Sequence, residues 1–287
     1  MTPPSSAASL AASRRAYAEE LRYCAHIRSE VIVDALAMVP REKFLGPGPW
    51  RIKQFGRPAY WLTPDDDPRH LYHNVLVAID HTRGLNNGQP ELWAFLFDQL
   101  ELAPGERVLH IGAGVGYYTA IAAELVGASG RVTAFEVDEA LAARAKANLA
   151  DRDNVEVRAG DGCAFDPGTA DAIIVNAGCT HPLPHWLDAL PDGGRLLVPL
   201  TVEWSGGYLL VTRVGDAFAA RFVCYVAIFP ATSVRDAEAE ARLAKALQNG
   251  GYAAAADAVK SLRRDPHPAD DSCWLHAPDF CLSRNVV

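Results

Sequence analysis

Arg107–Gly127, RVLHIGAGVGYYTAIAAELVG, is the stretch from which the fold is read. It opens with the short apolar run Val108-Leu109-His110-Ile111, turns through Gly112-Ala113-Gly114-Val115-Gly116, and continues at helical period from Tyr117 to Val126. A buried parallel strand, a glycine turn and a helix, in that order, open a nucleotide-type binding site. Glycine at such a turn lets the backbone bend sharply and approach a ligand where a Cβ would intrude. G-x-G-x-G is common by itself, and the next segment sharpens it. Gly130 closes the helix, and Arg131–Phe135 reads as a second strand. That strand finishes in Glu136, about 24 residues past Gly112, where this kind of fold places an acid on ribose hydroxyls. The third glycine of the dinucleotide pattern G-x-G-x-x-G falls at Tyr117, which does not allow the close helix approach that pyrophosphate binding uses. A nucleoside ligand without a diphosphate fits better, and S-adenosylmethionine is the obvious one.

Beyond Glu136 the strand–helix alternation continues through helix Asp138–Leu149, strand Val155–Ala159, strand Ala172–Asn176, helix Pro184–Leu190 and strand Arg195–Leu200. Such alternation predicts an α/β fold, a Rossmann-like, doubly wound, mostly parallel sheet. Gly207–Val214 and Phe218–Phe229, split by Gly215-Asp216, predict an antiparallel hairpin at its end. Before the core, apolar residues at helical spacing predict helices from about Ala11 to Met38, with a break near Ser29 and a stop at Pro40. Arg41–Pro68 reads as an ordered loop whose Trp50, Phe55, Tyr60 and Trp61 cover a surface, and Leu71–Ile79 as an extended segment. After the core, Val234–Gln248 and Tyr252–Arg263, split by Asn249-Gly250-Gly251, predict a helical hairpin, and Asp265–Val287 reads as loop. The expected division is 1–103 for N-terminal helices and covering loops, 104–230 for the cofactor core, and 231–287 for a C-terminal helical extension.

Composition narrows the class. The chain has 287 residues, 49% hydrophobic and 22% charged, with a formal charge of −8. No Lys/Arg-rich run gives it the electrostatic footprint of a nucleic-acid binder. No apolar run reaches the length that spans a bilayer, and MTPPSSAASLAAS reads as a frayed tail rather than a secretory signal. The six cysteines are scattered without a C-x-x-C pair, so they are expected to stay reduced, with neither a disulfide frame nor a metal site. A cytoplasmic protein is expected, acting on a small molecule or peptide and not on nucleic acid or membrane.

The candidate site residues follow from these positions. Gly112, Ala113, Gly114, Gly116 and Tyr117 are assigned to the methionine end of the cofactor, against the plainer reading of a strand–helix turn. Glu136 is assigned to both ribose hydroxyls. Asp161 with Gly162, after the third strand, is assigned to the adenine amino group, against an Asp-Gly turn. Asn176 ends the fourth strand at the carboxyl edge, where open α/β sheets bind ligands, and Gly178, Thr180 and His181 share that edge. Tyr72, His73, Asn86, Asn87, Gln89 and His181 are candidates for the acceptor pocket, since uncharged amides can hold a carboxylate or an amide. Should the acceptor carry a proton, His81, Asp80 and His181 are the candidate bases. An ionised carboxylate acceptor needs none.

At this point the chain from about Ile27 to Leu200 resembles the protein-L-isoaspartate O-methyltransferases. IRSEVIVDALAMVPREKFL is similar to that family's amino-terminal helix with its Val-Pro-Arg-Glu-x-Phe signature. VLHIGAGVGYYTAIAAELVG, GRVTAFEVD, NVEVRAGDG and DGGRLLVPL resemble its cofactor core. The resemblance implies a class-one S-adenosylmethionine-dependent methyltransferase. It also implies one departure. The family's Thr-Ile-Ser-x-Pro segment, whose Ser sits at the reacting methyl, corresponds here to Asn86-Asn87-Gly88-Gln89-Pro90, with Gly88 at the Ser position. Gly88 and the extension beyond Pro230 favour a relative with a changed acceptor, a small metabolite or a modified peptide, with carboxyl O-methylation as its chemistry. The alternatives are true isoaspartyl repair and, from another class, a non-catalytic module that senses the cofactor or binds a partner.

Overall fold

Ala172–Val175, four apolar residues in a row, is buried at every position, as a strand covered on both faces requires. The computed structural model describes residues 6–248 and 250–287. The first residues of the expected tail, 1–5, and Asn249 of the expected interhelical turn lie outside the described residues.

In chain order, helices α1 (Ser6–Cys24), α2 (Glu30–Met38) and α3 (Glu42–Leu45) lead into strands β1 (Arg51–Lys53), β2 (Trp61–Leu62), β3 (Leu76–Asp80) and β4 (Leu85–Asn86), then helix α4 (Pro90–Leu100). The central alternation is β5 (Arg107–Ile111), α5 (Tyr117–Val126), β6 (Arg131–Glu136), α6 (Glu139–Asn148), β7 (Val155–Ala159), β8 (Ala172–Val175), α7 (Pro184–Asp188) and β9 (Arg195–Val202). Strands β10 (Ser205–Val214) and β11 (Ala217–Ala227) follow, then α8 (Ala237–Leu247), α9 (Gly251–Ala258), β12 (Ser261–Arg263), β13 (Cys273–His276) and β14 (Cys281–Ser283).

The chain divides into two units. The first comprises Met1–Gly105, Ala113–Val132 and Asp138–Ala159. In it α1 packs on α2 and α4, and α2 packs on α5. A small antiparallel sheet runs in the order β2-β1-β3-β4, and Leu45, Trp50, Ile52, Leu71 and Val77 form an apolar cluster. Arg41, fully buried, organises the turn after α2. Its guanidinium donates to the carbonyls of Leu71 at 2.8 Å, Val75 at 2.8 Å and His73 at 3.3 Å. The Leu71 and Val75 carbonyls gain a buried donor in this way, and the His73 carbonyl, which also accepts the Val75 amide at 2.8 Å, gains a second one. α4 starts with Pro90 in its first turn, where the missing N–H costs nothing. α6 is capped by Asp138, whose carboxylate accepts the Leu141 amide at 2.9 Å.

The second unit comprises Glu106–Gly112, Thr133–Val137 and Gly160–Val287. Within it the strand order is β13-β14-β12-β11-β10-β9-β8-β5-β6. β5, β8 and β9 are parallel, with Val108 opposite Ala172 and Ala172 opposite Arg195. β9, β10 and β11 are antiparallel, and Val214 opposite Ala217 closes the expected hairpin around Gly215-Asp216. Its apolar core joins Ile111, Ile173, Val175, Trp186, Leu196, Leu209 and Val211 to Leu243 and Ala255 of the C-terminal helices.

Several local expectations change. α1 begins at Ser6, inside the expected tail. The segment read as loop, 41–68, carries α3, β1 and β2, and Trp50 is buried while Phe55 and Trp61 are exposed. The extended segment read from Leu71 begins at Leu76, because Pro68–Leu71 coils into a 3-10 turn capped by Asp67. The C-terminal extension is not all helix. The second helix stops at Ala258, Ser261–Arg263 pairs with β11, and the stretch read as loop supplies β13 and β14. Strands of three or four residues are too short to display a period of two. Pairing decides them: β12 adds to the edge of β11, β14 to β12, and β13 to β14.

Candidate functional site

In the second unit the carboxyl ends of β5, β6 and β8, with the turn Gly160–Gly162, bring five predicted residues to one edge of the sheet. Gly112 follows β5 with φ +84, and a Cβ there would lie 2.9 Å from the Asn176 carbonyl oxygen. Its amide donates to the Phe135 carbonyl at 2.8 Å. Asn176 follows β8, and its side-chain amide donates back to the Gly112 carbonyl at 3.0 Å. Asn176 therefore braces the glycine turn from the neighbouring strand. Glu136, the last residue of β6, is only 8% exposed, and its carbonyl accepts the Gly160 amide at 2.9 Å. Asp161 follows at once, its carboxylate accepting the Cys163 amide at 2.9 Å. At Gly162 a Cβ would meet Phe135 Cβ at 2.6 Å, so only glycine fits. A glycine turn held open, a carboxylate at the second strand end and an acid after the third are the features that an adenosyl group needs.

His181 shares this unit. Its Nδ1 lies 2.9 Å from the hydroxyl of the buried Thr180, which also accepts the Asp236 amide at 3.0 Å. Burial pushes the His181 imidazole below its ordinary pKa, so it is neutral near pH 7. Gly178 packs against Thr201, and its carbonyl accepts a guanidinium hydrogen of Arg235 at 3.0 Å.

In the first unit the remaining glycines open α5. Gly116 has φ +92, and a Cβ would fall 2.7 Å from Leu149 Cδ1. Gly114 has φ +58, and a Cβ there would meet nothing nearer than Ile79 Cδ1 at 4.0 Å. Asn148 donates to the Val115 carbonyl at 2.9 Å and pins the turn to α6. Tyr117 departs from expectation in one respect. Its ring is buried edge-on against Phe44, with centroids 5.6 Å apart, so only its backbone is open to a ligand. The amides at the start of α5 carry the partial positive charge that suits a carboxylate.

The loop between β3 and α4 is more structured than its sequence suggests. Gln89 Nε2 donates to Asn74 Oδ1 at 2.8 Å, and the same oxygen accepts the Glu91 amide at 3.1 Å. Asn86 Oδ1 accepts the Gly88 amide at 2.9 Å. Asn87 is buried, and its Nδ2, like Gln89 Oε1, has no hydrogen-bond partner among the described residues. Gly88 has φ +74, and a Cβ there would lie 2.8 Å from Trp93 Nε1 and 3.3 Å from Tyr118 Cε2. The Trp93 and Tyr118 rings stack at 4.3 Å and 10°, and the Tyr118 hydroxyl donates to the Gly88 carbonyl at 3.3 Å. An indole thus fills the space that a side chain at position 88 would need.

Three acceptor-pocket or base candidates are otherwise engaged. Tyr72 is buried with its hydroxyl on Glu42 and the Arg41 amide, and burial first, then Glu42, raises its pKa. It holds the Val-Pro-Arg turn. The Asp80 carboxylate is held well below the usual range by the Thr82 hydroxyl and then by Arg83, which also binds Asp138. As a base it would be too weak. His81 is exposed with its ring edge-on to Tyr60 at 5.5 Å, and His73 is exposed. The scattered cysteines divide. Burial pushes the Cys163 thiol up to about 12 and that of Cys179 higher, so both are inert near neutrality. Cys273 and Cys281, by contrast, meet His267 and His276, with all four ligand atoms within 4.8 Å of one another. The sequence reading missed this group; its only signal was the spacing of residues 267, 273, 276 and 281.

Comparison with known proteins bears on the whole arrangement. The family model for protein-L-isoaspartate(D-aspartate) O-methyltransferase matches residues 12–235. The chain is 37% identical over 215 residues to Protein-L-isoaspartate O-methyltransferase 1 of Rhodopseudomonas palustris, covering 72% of this chain and 78% of the relative. It is 33% identical over 218 residues to the protein-L-isoaspartate O-methyltransferase of Pyrobaculum neutrophilum, covering 74% and 95%. A solved protein-L-isoaspartate O-methyltransferase shares its fold with a TM-score of 0.64 at 24% identity, covering 80% of this chain and 70% of that one.

Proposed function

The chain belongs to the protein-L-isoaspartate O-methyltransferase family and is an S-adenosylmethionine-dependent methyltransferase, and from that premise we propose that it methylates a carboxylate of a modified peptide whose shape differs from an isoaspartyl chain. Gly88 carries the proposal. The position that the resemblance sets against the family's active-site Ser has no side chain, and the Trp93 indole occupies the space where one would stand. An acceptor that relied on that hydroxyl loses its partner here. The unpaired Asn87 Nδ2 and Gln89 Oε1 flank Gly88 and offer a donor and an acceptor in its place.

The cofactor supplies an electrophilic methyl group. In this reading Glu136 holds the ribose, Asp161 the adenine amino group, and the turn Gly112–Gly116 with the start of α5 the methionine end. Asn87 orients the acceptor carboxylate, and the stacked Trp93 and Tyr118 wall exclude water. A carboxylate is already ionised near pH 7, so as acceptor it would need no base: its oxygen would take the methyl as the carbon–sulfur bond breaks, the sulfur leaving as S-adenosylhomocysteine, and no proton would move. Alignment of nucleophile and methyl is then the main work of the site. That fits an Asp80 tied to Thr82 and Arg83. Residues 1–103 serve as cover for the acceptor, 104–230 as the cofactor core, and 231–287 as an extension. The acceptor is a peptide and not nucleic acid, in keeping with the charge of −8, and turnover insensitive to salt checks this. No helix among the described residues is long and apolar enough to cross a membrane, and we place the reaction in the cytoplasm.

The test is release of S-adenosylhomocysteine from purified protein given the cofactor with an isoaspartyl peptide, its aspartyl twin, or peptides bearing other modified carboxylates. Release with the other modified carboxylates alone is expected. Release with the isoaspartyl peptide alone returns the chain to repair, the reading that its identity of 37% to a so-named relative favours. Cofactor binding with no release from any of them makes it a sensor.

A further inference from the structure

We propose that His267, Cys273, His276 and Cys281 bind one zinc ion in a closed tetrahedral site that staples the C-terminal hairpin. The inference is independent of the methyl-transfer reading. Three features of the backbone converge on it. First, His276 and Cys281 stand directly opposite each other across β13 and β14, and the Ala277 amide donates to the Phe280 carbonyl at 2.9 Å to close the turn between them. Opposite residues share a face of a sheet. Second, Cys273 lies three residues before His276, a spacing that in a regular strand sends the two side chains to opposite faces. Here the register shifts between Cys273 and Leu275, leaving Trp274 as the extra residue of a bulge. Cys273 then pairs with Ser283, two residues from Cys281, and all three ligands come to one side. Third, the loop before β13 returns His267 to the same spot. Its Nε2 is 3.5 Å from Cys273 Sγ, and His276 Nδ1 is 3.9 Å from the same sulfur.

These separations suit zinc. Bonds of about 2.3 Å to sulfur and about 2.0 Å to nitrogen put tetrahedral ligand atoms roughly 3.3–3.8 Å apart. Two sulfurs and two imidazole nitrogens in a tetrahedron select zinc or an iron–sulfur centre, and the two imidazoles favour zinc. His267 is also oriented as a ligand. Its Nδ1 lies 2.7 Å from the Asp265 carbonyl, which takes the Nδ1 hydrogen and leaves the Nε2 lone pair toward the sulfur. Asp265 is itself held by Arg263 at 2.7 Å. Four protein ligands fill the coordination sphere, so the site is structural and leaves no open position for chemistry. The need is plain in the hairpin. β13 has four residues and β14 has three, and a hairpin of that length holds only marginally on its own.

The test uses the full chain, purified without a histidine tag and with zinc present throughout. Elemental analysis is expected to give about one zinc per chain. Cobalt(II) in its place is expected to give the visible bands of a tetrahedral thiolate site. Chelation is expected to lower the melting temperature by on the order of 10 °C. Cys273→Ser and His276→Ala should each lose the metal. Because either change bears on the fold, His267→Gln, in the loop, is the second variant and should weaken metal binding at least about tenfold with the strands intact. Zinc near zero in wild-type protein overturns the proposal, as does a Cys273–Cys281 disulfide by mass spectrometry. Full zinc content in all three variants does the same.

Discussion

Replacing Gly88 by serine would supply the residue that the resemblance sets at that position, yet the structure predicts damage rather than recovery. Gly88 sits at φ +74, where an L-residue costs about 1–2 kcal/mol. The new Cβ would also lie 2.8 Å from Trp93 Nε1. The indole cannot swing away freely, since it is buried and stacked on Tyr118 at 4.3 Å. Overpacking of this kind costs roughly 1–3 kcal/mol. Together the two effects come to about 2–5 kcal/mol, or a melting temperature lower by on the order of 10 °C. Thermal unfolding of Gly88→Ser, Gly88→Ala, Trp93→Ala and the Gly88→Ser/Trp93→Ala double variant separates them. The backbone cost should persist in every background. The clash, roughly 1–3 kcal/mol, should vanish when Trp93 is truncated. S-adenosylhomocysteine release with the isoaspartyl peptide, read in parallel, should not rise in the single variant. A Gly88→Ser protein that melts with the wild type, or that gains isoaspartyl turnover with Trp93 in place, would refute the reasoning.

Other expectations follow from the same geometry. Glu136→Gln should weaken cofactor binding about 10- to 100-fold by calorimetry, the cost of a charge-assisted hydrogen bond, while the melting temperature stays put. Arg41→Met leaves the carbonyls of Leu71, His73 and Val75 without their buried donor, and urea unfolding should show a loss of about 3–5 kcal/mol. His110 is fully buried in β5, and burial pushes its imidazole from 6.5 down to about 4. Between those values the unfolded chain binds a proton that the folded chain refuses, so stability should fall by roughly 3 kcal/mol as pH drops through that window. His110→Asn should flatten this slope in acid melts. His181→Gln should leave kcat within about threefold and its pH profile unchanged, because a carboxylate acceptor needs no base; a loss of about 100-fold or more would point to a protonated acceptor.

How much was legible in the sequence depended on how local each feature is. The turn Gly112–Gly116, the acid Glu136 and the pair Asp161-Gly162 are written into short windows. Each is a backbone bend or a strand end whose requirement falls on the residue itself. Full burial of β8 was likewise readable, since four consecutive apolar residues give the strand no polar face to turn toward water. Gly88 was visible as a glycine, but not its surroundings: Tyr118, which with the nearby Trp93 fills its Cβ space, is remote in sequence. Asp80 and Tyr72 looked available because the sequence does not show Thr82, Arg83 and Glu42 holding them. The C-terminal strands were lost for a related reason. Three residues carry no periodicity, and β12 forms only because the edge of β11 offers unpaired backbone. The meeting of His267, Cys273, His276 and Cys281 is the furthest case. It rests on a hairpin register and a one-residue bulge, and slipping that register by one residue would turn the ligands to opposite faces. Sequence alone therefore determined the family, the cofactor and the order of strands and helices from β5 to β11, because local steric and hydrophobic patterns encode them. Tertiary structure alone decided which polar groups are free to act and which side chains meet, because pairing and packing join residues that the chain keeps apart.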